Sequence, residues 1–245
     1  MNRIIVLSDI HANLSALRAV LADIKSKQYE PDVVVLLGDI INYGMRPNEV
    51  IEELKNLPYP VEVNLLGNHE KALLDGEVNH FSTERGKRLL QYTSSVLTDA
   101  SLKYIREKMN STAYETKKWC DRQFLFIHGN KDDAFWGKLS VDKMADSYYS
   151  KYDFVISGHT HLPHYLEYYY SVDCPHLRNK KKTIFINPGS VGQPRNQNPY
   201  AQYVFLELSS GTVHHNAVSY DVETEYQLYP PFLDSFYKER LILGI

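Results

Sequence analysis

The chain alternates short apolar runs with stretches in which apolar residues recur every three or four positions. Arg3 to Ser8, Asp32 to Asp39 and Val61 to Leu66 are runs with the composition and length of buried strands. The stretch after the first run has the apolar spacing of a helix, for which Asn13 is a suitable N-cap. Pro47 suits the first turn of a second helix. This pattern predicts β-α-β-α-β units and therefore a sheet with parallel strands.

A helical region separates these runs from a second series of strands. The apolar spacing predicts two helices between Ser82 and Met109, with a break near Leu97-Thr98. Ala113 to Trp119 and Gln123 to Ile127 are typical of a hairpin, and Ser140 to Tyr149 of one more helix. Further strands are predicted at Asp153 to Ser157, Tyr165 to Ser171, Thr183 to Asn187, Gln202 to Leu208 and Val213 to Tyr220.

Three further features of the second half lead to predictions. Tyr168, Tyr169 and Tyr170 put aromatic rings on both faces of one strand, which suggests an edge pairing or a homodimer contact there. The basic run from Arg178 to Lys182 is expected to be a solvated hairpin tip. The tail is expected to be helical up to Gly244, which is a good C-cap.

Composition narrows the classes of function. With 245 residues, 43% hydrophobic and 23% charged, the chain has the profile of an ordinary globular protein, and we expect one domain over 1–245. A net charge of -3 gives no general attraction to nucleic acid or to an anionic membrane. Cys120 and Cys174 form no CxxC pattern, and no signal peptide or membrane span is recognised. These observations predict a cytoplasmic protein with a reducing environment.

Polar residues follow five of the apolar runs at their carboxyl ends. They are Asp9 and His11, Asp39, Asn68 and His69, His128, and His159 with His161. Open α/β sheets bind ligands at this edge, and residues two apart in an extended segment point the same way. Imidazole, carboxylate and amide oxygen form a donor set suited to Mn, Fe, Ni, Co or Zn. Because one small ion does not normally take so many ligands, we expect two ions that share a carboxylate.

Each of these residues also has a purely structural explanation. Asp9 or Asn13 could cap a helix, His128 could be a hydrogen-bonded strand end, and Gly67-Asn68 could be an ordinary turn. The functional interpretation is favoured because every one of these elements follows directly on an apolar run.

The same residues resemble the signature of the calcineurin-like metallophosphoesterases, and within them the compact single-domain phosphodiesterase branch. The matching motifs occur in the family's order and are Asp9-x-His11, Gly38-Asp39, Gly67-Asn68-His69-Glu70, His128, Gly158-His159-x-His161 and the block from Asn187 to Arg195. The resemblance implies a four-layer α/β/β/α sandwich, in which two mixed sheets are flanked by helices. It places the site between the carboxyl edges of the two sheets.

The resemblance also implies a role for each site residue. One divalent transition-metal ion would be held by Asp9, His11, Asp39 and His161, and a second by Asp39, Asn68, His128 and His159. Manganese is the expected metal, with Fe, Ni, Co or Zn as alternatives. His69 would be the catalytic histidine, and Glu70 would either orient it or only begin the next helix. The implied reaction is hydrolysis of a phosphodiester, or a nucleotide-type phosphate ester, by a metal-bridging hydroxide.

Departures from the family pattern bear on the substrate. Protein phosphatases of the wider family read Gly-Asp-x-x-Asp-Arg-Gly, whereas this chain continues from Asp39 to Asn42-Tyr43-Gly44 without the arginine. Near the motifs only Arg46 and Arg195 remain, and Arg195 could bind substrate or pack its own loop. We therefore expect a small phosphodiester to be preferred over a monoester dianion. The alternatives are a phosphomonoesterase or protein phosphatase, and a non-catalytic scaffold, as in the retromer subunit that resembles this family and lacks the histidine.

Overall fold

The apolar runs of the first part form the centre of one sheet in the computed structural model, which describes residues 1–77, 80–81 and 83–245. β1 (Arg3–Leu7), β2 (Val33–Leu36) and β3 (Val61–Asn64) pair in parallel. β9 (Ala201–Glu207) lies antiparallel to β1, and β10 (Thr212–Val218) antiparallel to β9. The strand order β10-β9-β1-β2-β3 brings the carboxyl ends of the three parallel strands to one edge.

The later strands form a second mixed sheet. β4 (Tyr114–Trp119) and β5 (Arg122–Ile127) are the predicted hairpin, and β5 runs parallel to β6 (Phe154–Ser157). β8 (Lys180–Asn187) continues the parallel set, and β7 (His164–Ser171) pairs antiparallel with β8. The order is β4-β5-β6-β8-β7, so this sheet also has three parallel strands at its centre.

The main core lies between the two sheets. Val6 and Val35 from the first sheet and Phe124, Phe126 and Ile156 from the second belong to one fully buried cluster. Because the outer faces of the central strands are covered as well, these strands are apolar on both sides, as their sequences predict. Two mixed sheets flanked by helices confirm the expected α/β sandwich fold.

Helices cover the outer face of the first sheet. α1 (Leu14–Ser26) begins after Asn13, whose side chain accepts a hydrogen bond from the Ala16 N–H, as the sequence predicts. α2 (Pro47–Lys55) has Pro47 in its first turn. Leu17 of α1 and Val50 of α2 are buried in one cluster with the outer residues of β1 and β2.

Three further helices follow β3. They are α3 (Asn68–Asp75), α4 (Glu84–Val96) and α5 (Asp99–Lys108). The predicted break between the last two is confirmed, because Leu97 is extended and the Thr98 side chain caps α5. The start predicted at Ser82 lies outside the described residues.

The helix predicted from Ser140 to Tyr149 is wrong in its extent. Only α6 (Val141–Met144) is α-helical, and a 3₁₀ turn covers Ser147–Lys151. Asp146 separates the two, because its extended backbone and its side chain, which accepts from the Tyr148 N–H, begin a new turn. A side chain that bonds local backbone in this way competes with helix continuation.

The tyrosine-rich strand is β7, which lies at the edge of the second sheet and pairs with β8. Tyr165 and Tyr169 are exposed, whereas Tyr168 and Tyr170 face the cluster below the sheet. The homodimer contact stays a prediction. The basic run from Arg178 to Lys182 is only partly a turn: Arg178 and Asn179 turn the chain, and the three lysines begin β8.

The tail contains α7 (Val222–Gln227) and α8 (Phe236–Leu243), which ends at the left-handed residue Gly244 as predicted. Leu89 of α4 packs with Tyr229 and Tyr237 of this tail in a separate small cluster. Among the helices of the described residues, none combines the length and the apolar character needed to cross a membrane.

Candidate metal centre

The strand ends bring the predicted ligands together at one edge of both sheets. Asp9 follows β1 and Asp39 follows β2, while Asn68 begins α3 after β3. His128 follows β5 directly, and His159 and His161 lie just beyond β6. Because these five strands end at the same edge, residues up to 150 positions apart are in contact.

A first cluster contains two carboxylates and two imidazoles. One donor atom from each of Asp9, His11, Asp39 and His161 lies within 4.8 Å of the others, and all four residues are buried. His161 Nε2 is 3.2 Å from Asp9 Oδ1 and 3.1 Å from His11 Nε2. These are the members of the first predicted ligand set.

A second cluster shares Asp39 with the first. Donor atoms of Asp39, His128 and His159 lie within 4.8 Å of one another. The side-chain oxygen of Asn68 lies 3.1 Å from His128 Nε2 and 2.9 Å from His159 Nδ1. The structure therefore brings together the second predicted set as well, with Asp39 at the junction.

Backbone carbonyl oxygens fix the orientation of three of these rings. The Nδ1 atoms of His11, His128 and His161 lie 3.1, 2.7 and 2.6 Å from the carbonyl oxygens of Ile41, Leu37 and Gln193. An Nδ1 that donates to a carbonyl leaves Nε2 as a bare lone pair. In its neutral form, each of these rings thus presents an acceptor, not an N–H, to the centre of its cluster.

The donor atoms fit a cation better than they fit one another. Two Nε2 lone pairs, those of His11 and His161, face each other at 3.1 Å. Within the described residues, the buried Asp9 Oδ1 accepts no hydrogen bond. Unsatisfied acceptors this deeply buried are costly unless positive charge lies between them. Imidazole, carboxylate and amide oxygen are together the donors of a borderline divalent transition metal.

Burial controls the protonation of the cluster. It lowers the pKa of His11 and His161 well below the ordinary value, and, with the charge of His128, lowers that of His159 to about 4. These rings are therefore neutral, as metal ligands must be. Burial also disfavours charge on His128, but the carboxylate of Asp39, 3.4 Å away, outweighs it and raises the pKa of His128 to about 9.

Five of the clustered residues have a left-handed backbone. Their φ angles are 53° at Asp9, 49° at His11, 53° at Asp39, 64° at His159 and 59° at His161. Asp and His tolerate this region better than most residues, but it is still unfavourable for any side chain with a Cβ. Such backbone strain occurs most often at functional sites.

His69 lies beside both clusters without belonging to either. Its backbone N–H donates to Asp39 Oδ1 at 2.9 Å, and its Nδ1 is 2.7 Å from the Asn42 amide nitrogen. Asn42 in turn accepts from the Thr93 hydroxyl at 3.1 Å. Because the Asn42 oxygen accepts from Thr93, the Asn42 amide N–H must donate to Nδ1 of His69. The imidazole therefore carries its own hydrogen on Nε2.

Glu70 does not orient His69. Its carboxylate accepts backbone N–H groups of Asp39, Ile41 and Gly67 at 2.9, 3.0 and 2.8 Å. It thereby ties the loop after β2 to the start of α3. A Cβ at Gly67 would lie 2.1 Å from Asp39 Oδ1, so this close approach of the two loops requires glycine.

The two arginines named from the sequence have different surroundings. Arg46 is paired with Glu225 and donates to the Ser15 hydroxyl at 2.8 Å, so it serves the structure. Arg195 lies close to the site: its backbone N–H donates to the His161 carbonyl oxygen at 3.4 Å, and its guanidinium is 5.9 Å from the ring centre of Tyr43.

Sequence reasoning missed several residues around His69. Tyr43 and Phe81 pack on its ring at 4.6 and 5.0 Å between centroids, and Trp136 lies 5.6 Å from Phe81. Asn42 could have been found, because it stands at the second aspartate of the phosphatase motif. Thr93 lies in the last turn of α4 with no local signal, so only the fold reveals it.

Comparisons with known proteins agree with this geometry. Residues 2–211 match the family model described as calcineurin-like phosphoesterase superfamily domain. An uncharacterized protein of Methanocaldococcus jannaschii is 31% identical over 254 aligned positions, which cover 98% of both chains. A metallophosphoesterase from Sphaerobacter thermophilus has a TM-score of 0.74 at 26% identity, covering 99% of this chain and 100% of its own. A hypothetical protein from Pyrococcus horikoshii shares the fold with a TM-score of 0.78 at 21% identity, covering 100% of this chain and 99% of its own.

Proposed function

Since the chain belongs to the calcineurin-like phosphoesterase superfamily and has a buried His/Asp metal-binding site, we propose that it is a dinuclear-metal-dependent phosphoesterase. The substrate we propose is a phosphodiester or a nucleotide-type phosphate ester. The observation that carries the proposal is the sharing of Asp39 between two buried clusters of potential metal ligands. One ion would occupy only half of these donors.

The chain offers a separate set of donors for each ion. The first set is Asp9, His11, Asp39 and His161, and the second is Asp39, Asn68, His128 and His159. When bound, two divalent cations lower the pKa of a water molecule and neutralise charge on the phosphoryl oxygens. Manganese is the ion we propose, because the set mixes carboxylate and amide oxygens with imidazole.

We propose that His69 donates a hydrogen bond to the leaving group. Because Asn42 donates to Nδ1, the hydrogen on Nε2 is available to the oxygen that departs from phosphorus. Burial lowers the pKa of His69 to about 4, so the ring acts as a neutral hydrogen-bond donor and not as an imidazolium. Burial among Tyr43 and Phe81 keeps this donor away from bulk water.

The scaffold alternative finds no support in these residues. A chain that kept only the fold would have no need of the left-handed backbone at Asp9, Asp39 and His159, or of the buried, unbonded oxygen of Asp9. The residues to which we assign a role in the reaction lie together at one edge of the two sheets.

The experiment combines metal analysis with hydrolysis. Purified protein is stripped with a chelator, reloaded with Mn²⁺, and analysed for bound metal and for hydrolysis of bis-p-nitrophenyl phosphate and p-nitrophenyl phosphate. We expect two ions per chain and metal-dependent turnover. Asp121→Asn is the matched control, because this aspartate is exposed in the β4–β5 turn. One bound ion, or a fully loaded protein that hydrolyses no phosphate ester, would refute the proposal.

A further inference from the structure

A row of aromatic rings runs from His69 to His159, a ligand of the second cluster. Phe81 packs on His69 with ring centres 5.0 Å apart and on Trp136 at 5.6 Å. The indole of Trp136 lies 6.5 Å from the ring centre of His159. On Trp136 stacks His80, with ring centres 5.3 Å apart and ring planes 20° apart. Trp136 therefore lies along one side of the metal centre.

The metal centre opens to solvent beside Trp136. Of the seven predicted ligands, six are buried and only His159 is partly exposed. A substrate therefore reaches the centre past His159, and Trp136, which is itself partly exposed, borders this opening. An indole offers a large flat apolar surface, which suits contact with another planar ring. Trp136 is thus placed to contact the part of a substrate next to its phosphoryl group.

The loop that carries Trp136 is held by side chains that bond its backbone. The side-chain oxygen of the fully buried Asn130 accepts the Asp133 N–H at 3.0 Å, and the Asp133 carboxylate accepts the Trp136 N–H at 2.9 Å. A Cβ at Gly137 would lie 2.5 Å from Asn130 Nδ2, so the loop closes tightly around this amide. The indole is thus positioned before a ligand arrives, which lowers the entropic cost of binding.

Shielding of His69 from water does not by itself account for Trp136. Phe81, which is 8% exposed, already packs on the ring of His69. Trp136 lies beyond Phe81 and stacks with His80, whose side chain is 52% exposed. A stack of two rings at the surface leaves apolar area in water, and a further ring packed against it would bury part of that area.

We propose that Trp136, supported by His80, forms a subsite that binds a nucleobase of the substrate. The inference rests on the proposed function and names its substrate class: phosphate esters of nucleosides. Because Phe81 lies between Trp136 and His69, the base belongs to the ester group that stays on phosphorus and not to the leaving group. His80 covers one face of the indole, so the base packs on the other face.

The first test compares two diesters that share one charge and one leaving group. In p-nitrophenyl thymidine 5′-phosphate the group that stays on phosphorus carries a base, whereas in p-nitrophenyl methyl phosphate it is only a methyl group. Mn²⁺-loaded wild type, Trp136→Leu, Trp136→Phe and the control Tyr169→Leu are assayed on both. The control is matched because Tyr169 is also an exposed ring, 58% accessible, but lies on β7.

We expect Trp136→Leu to lower kcat/KM on the thymidine ester roughly 10- to 100-fold, the equivalent of one stack between a base and an aromatic side chain. On the methyl ester this variant should change by less than about 3-fold, which also shows that it is folded, and Tyr169→Leu should do the same on both substrates. Trp136→Phe should retain part of the preference because it keeps a ring. Equal losses on both esters, or no loss, would overturn the proposal.

The second test measures binding instead of turnover. Mn²⁺-loaded wild type is titrated in a calorimeter with adenosine 5′-monophosphate and with ribose 5-phosphate, which lacks the base. We expect the nucleotide to bind roughly 10-fold more tightly or better, and Trp136→Leu to remove most of this difference. Equal affinities of wild type for the two ligands would refute the subsite. If binding depends on the base and on Trp136 but no ester is hydrolysed, the subsite stands and the proposed function fails.

Discussion

Acidification is expected to destabilise the fold through His164, at the start of β7. Burial, with the like charge of His215, lowers the pKa of His164 to about 4, and the ring's Nε2 is buried without a hydrogen-bond partner among the described residues. The unfolded chain has a pKa of about 6.5 at this position. Between these two values the unfolded state binds the proton and the folded state does not, so stability is complete above pH 6.5 and falls as the pH decreases towards 4.

The size of the effect follows from the two pKa values. Between high pH and pH 5, protonation of this one group raises the unfolding equilibrium constant by a factor of about 30. The free energy of unfolding falls by about 2 kcal/mol. That is a large part of the roughly 5–15 kcal/mol by which a domain is normally stable. His164 is close to the site in the fold, because it lies three residues after His161 and pairs with Asn187, whose amide donates to the Gly158 carbonyl oxygen at 2.8 Å.

The assay is urea unfolding of metal-free wild type and His164→Phe at pH 8, 6 and 5. Phenylalanine keeps a ring in the buried position but cannot titrate. The stability difference at pH 8 measures every effect of the substitution other than protonation, and its change between pH 8 and pH 5 isolates the proton. From pH 8 to pH 5, we expect the free energy of unfolding of the variant to rise by about 2 kcal/mol relative to that of wild type. A difference that does not depend on pH would show that the buried ring accepts the proton without penalty.

Three predictions concern the site itself. Asp39→Asn should cost more bound metal and more activity than any other single ligand change, because both clusters share this carboxylate; near-normal metal content would exclude the sharing. His69→Asn should keep the metal and lower kcat roughly 10²–10⁴-fold, and loss of metal would make the residue a ligand. Asn42→Leu should lower kcat by about 10-fold with metal content unchanged, because nothing then holds the hydrogen on Nε2 of His69; an unaltered kcat would contradict this orienting role.

Much of the site could be predicted because its residues follow strands. Asp9, Asp39 and His128 each come directly after an apolar run, and parallel strands must end at a common edge. Their roles at the metal centre stay predictions, although their proximity is observed. The single domain over 1–245 and the homodimer contact also remain untested predictions.

The parts that could not be predicted depend on contacts between distant segments. Tyr237 lies in a helix with no motif, and only the fold stacks it on Tyr43, which packs on His69. Thr93 reaches Asn42 across 51 positions of sequence. The helix predicted from Ser140 to Tyr149 failed because periodicity does not register that the side chain of Asp146 bonds its own backbone.

The left-handed backbone at the five clustered residues has a consequence for how the protein can change over time. Glycine adopts this conformation freely, whereas each side chain there costs about 1 kcal/mol. Replacing any of the five by glycine would therefore relax the chain while removing a metal donor. In a lineage that no longer needs the activity, selection for thermal stability would favour such replacements. In such a lineage, substitutions would accumulate at this edge of the sheets before they accumulate in the core between them.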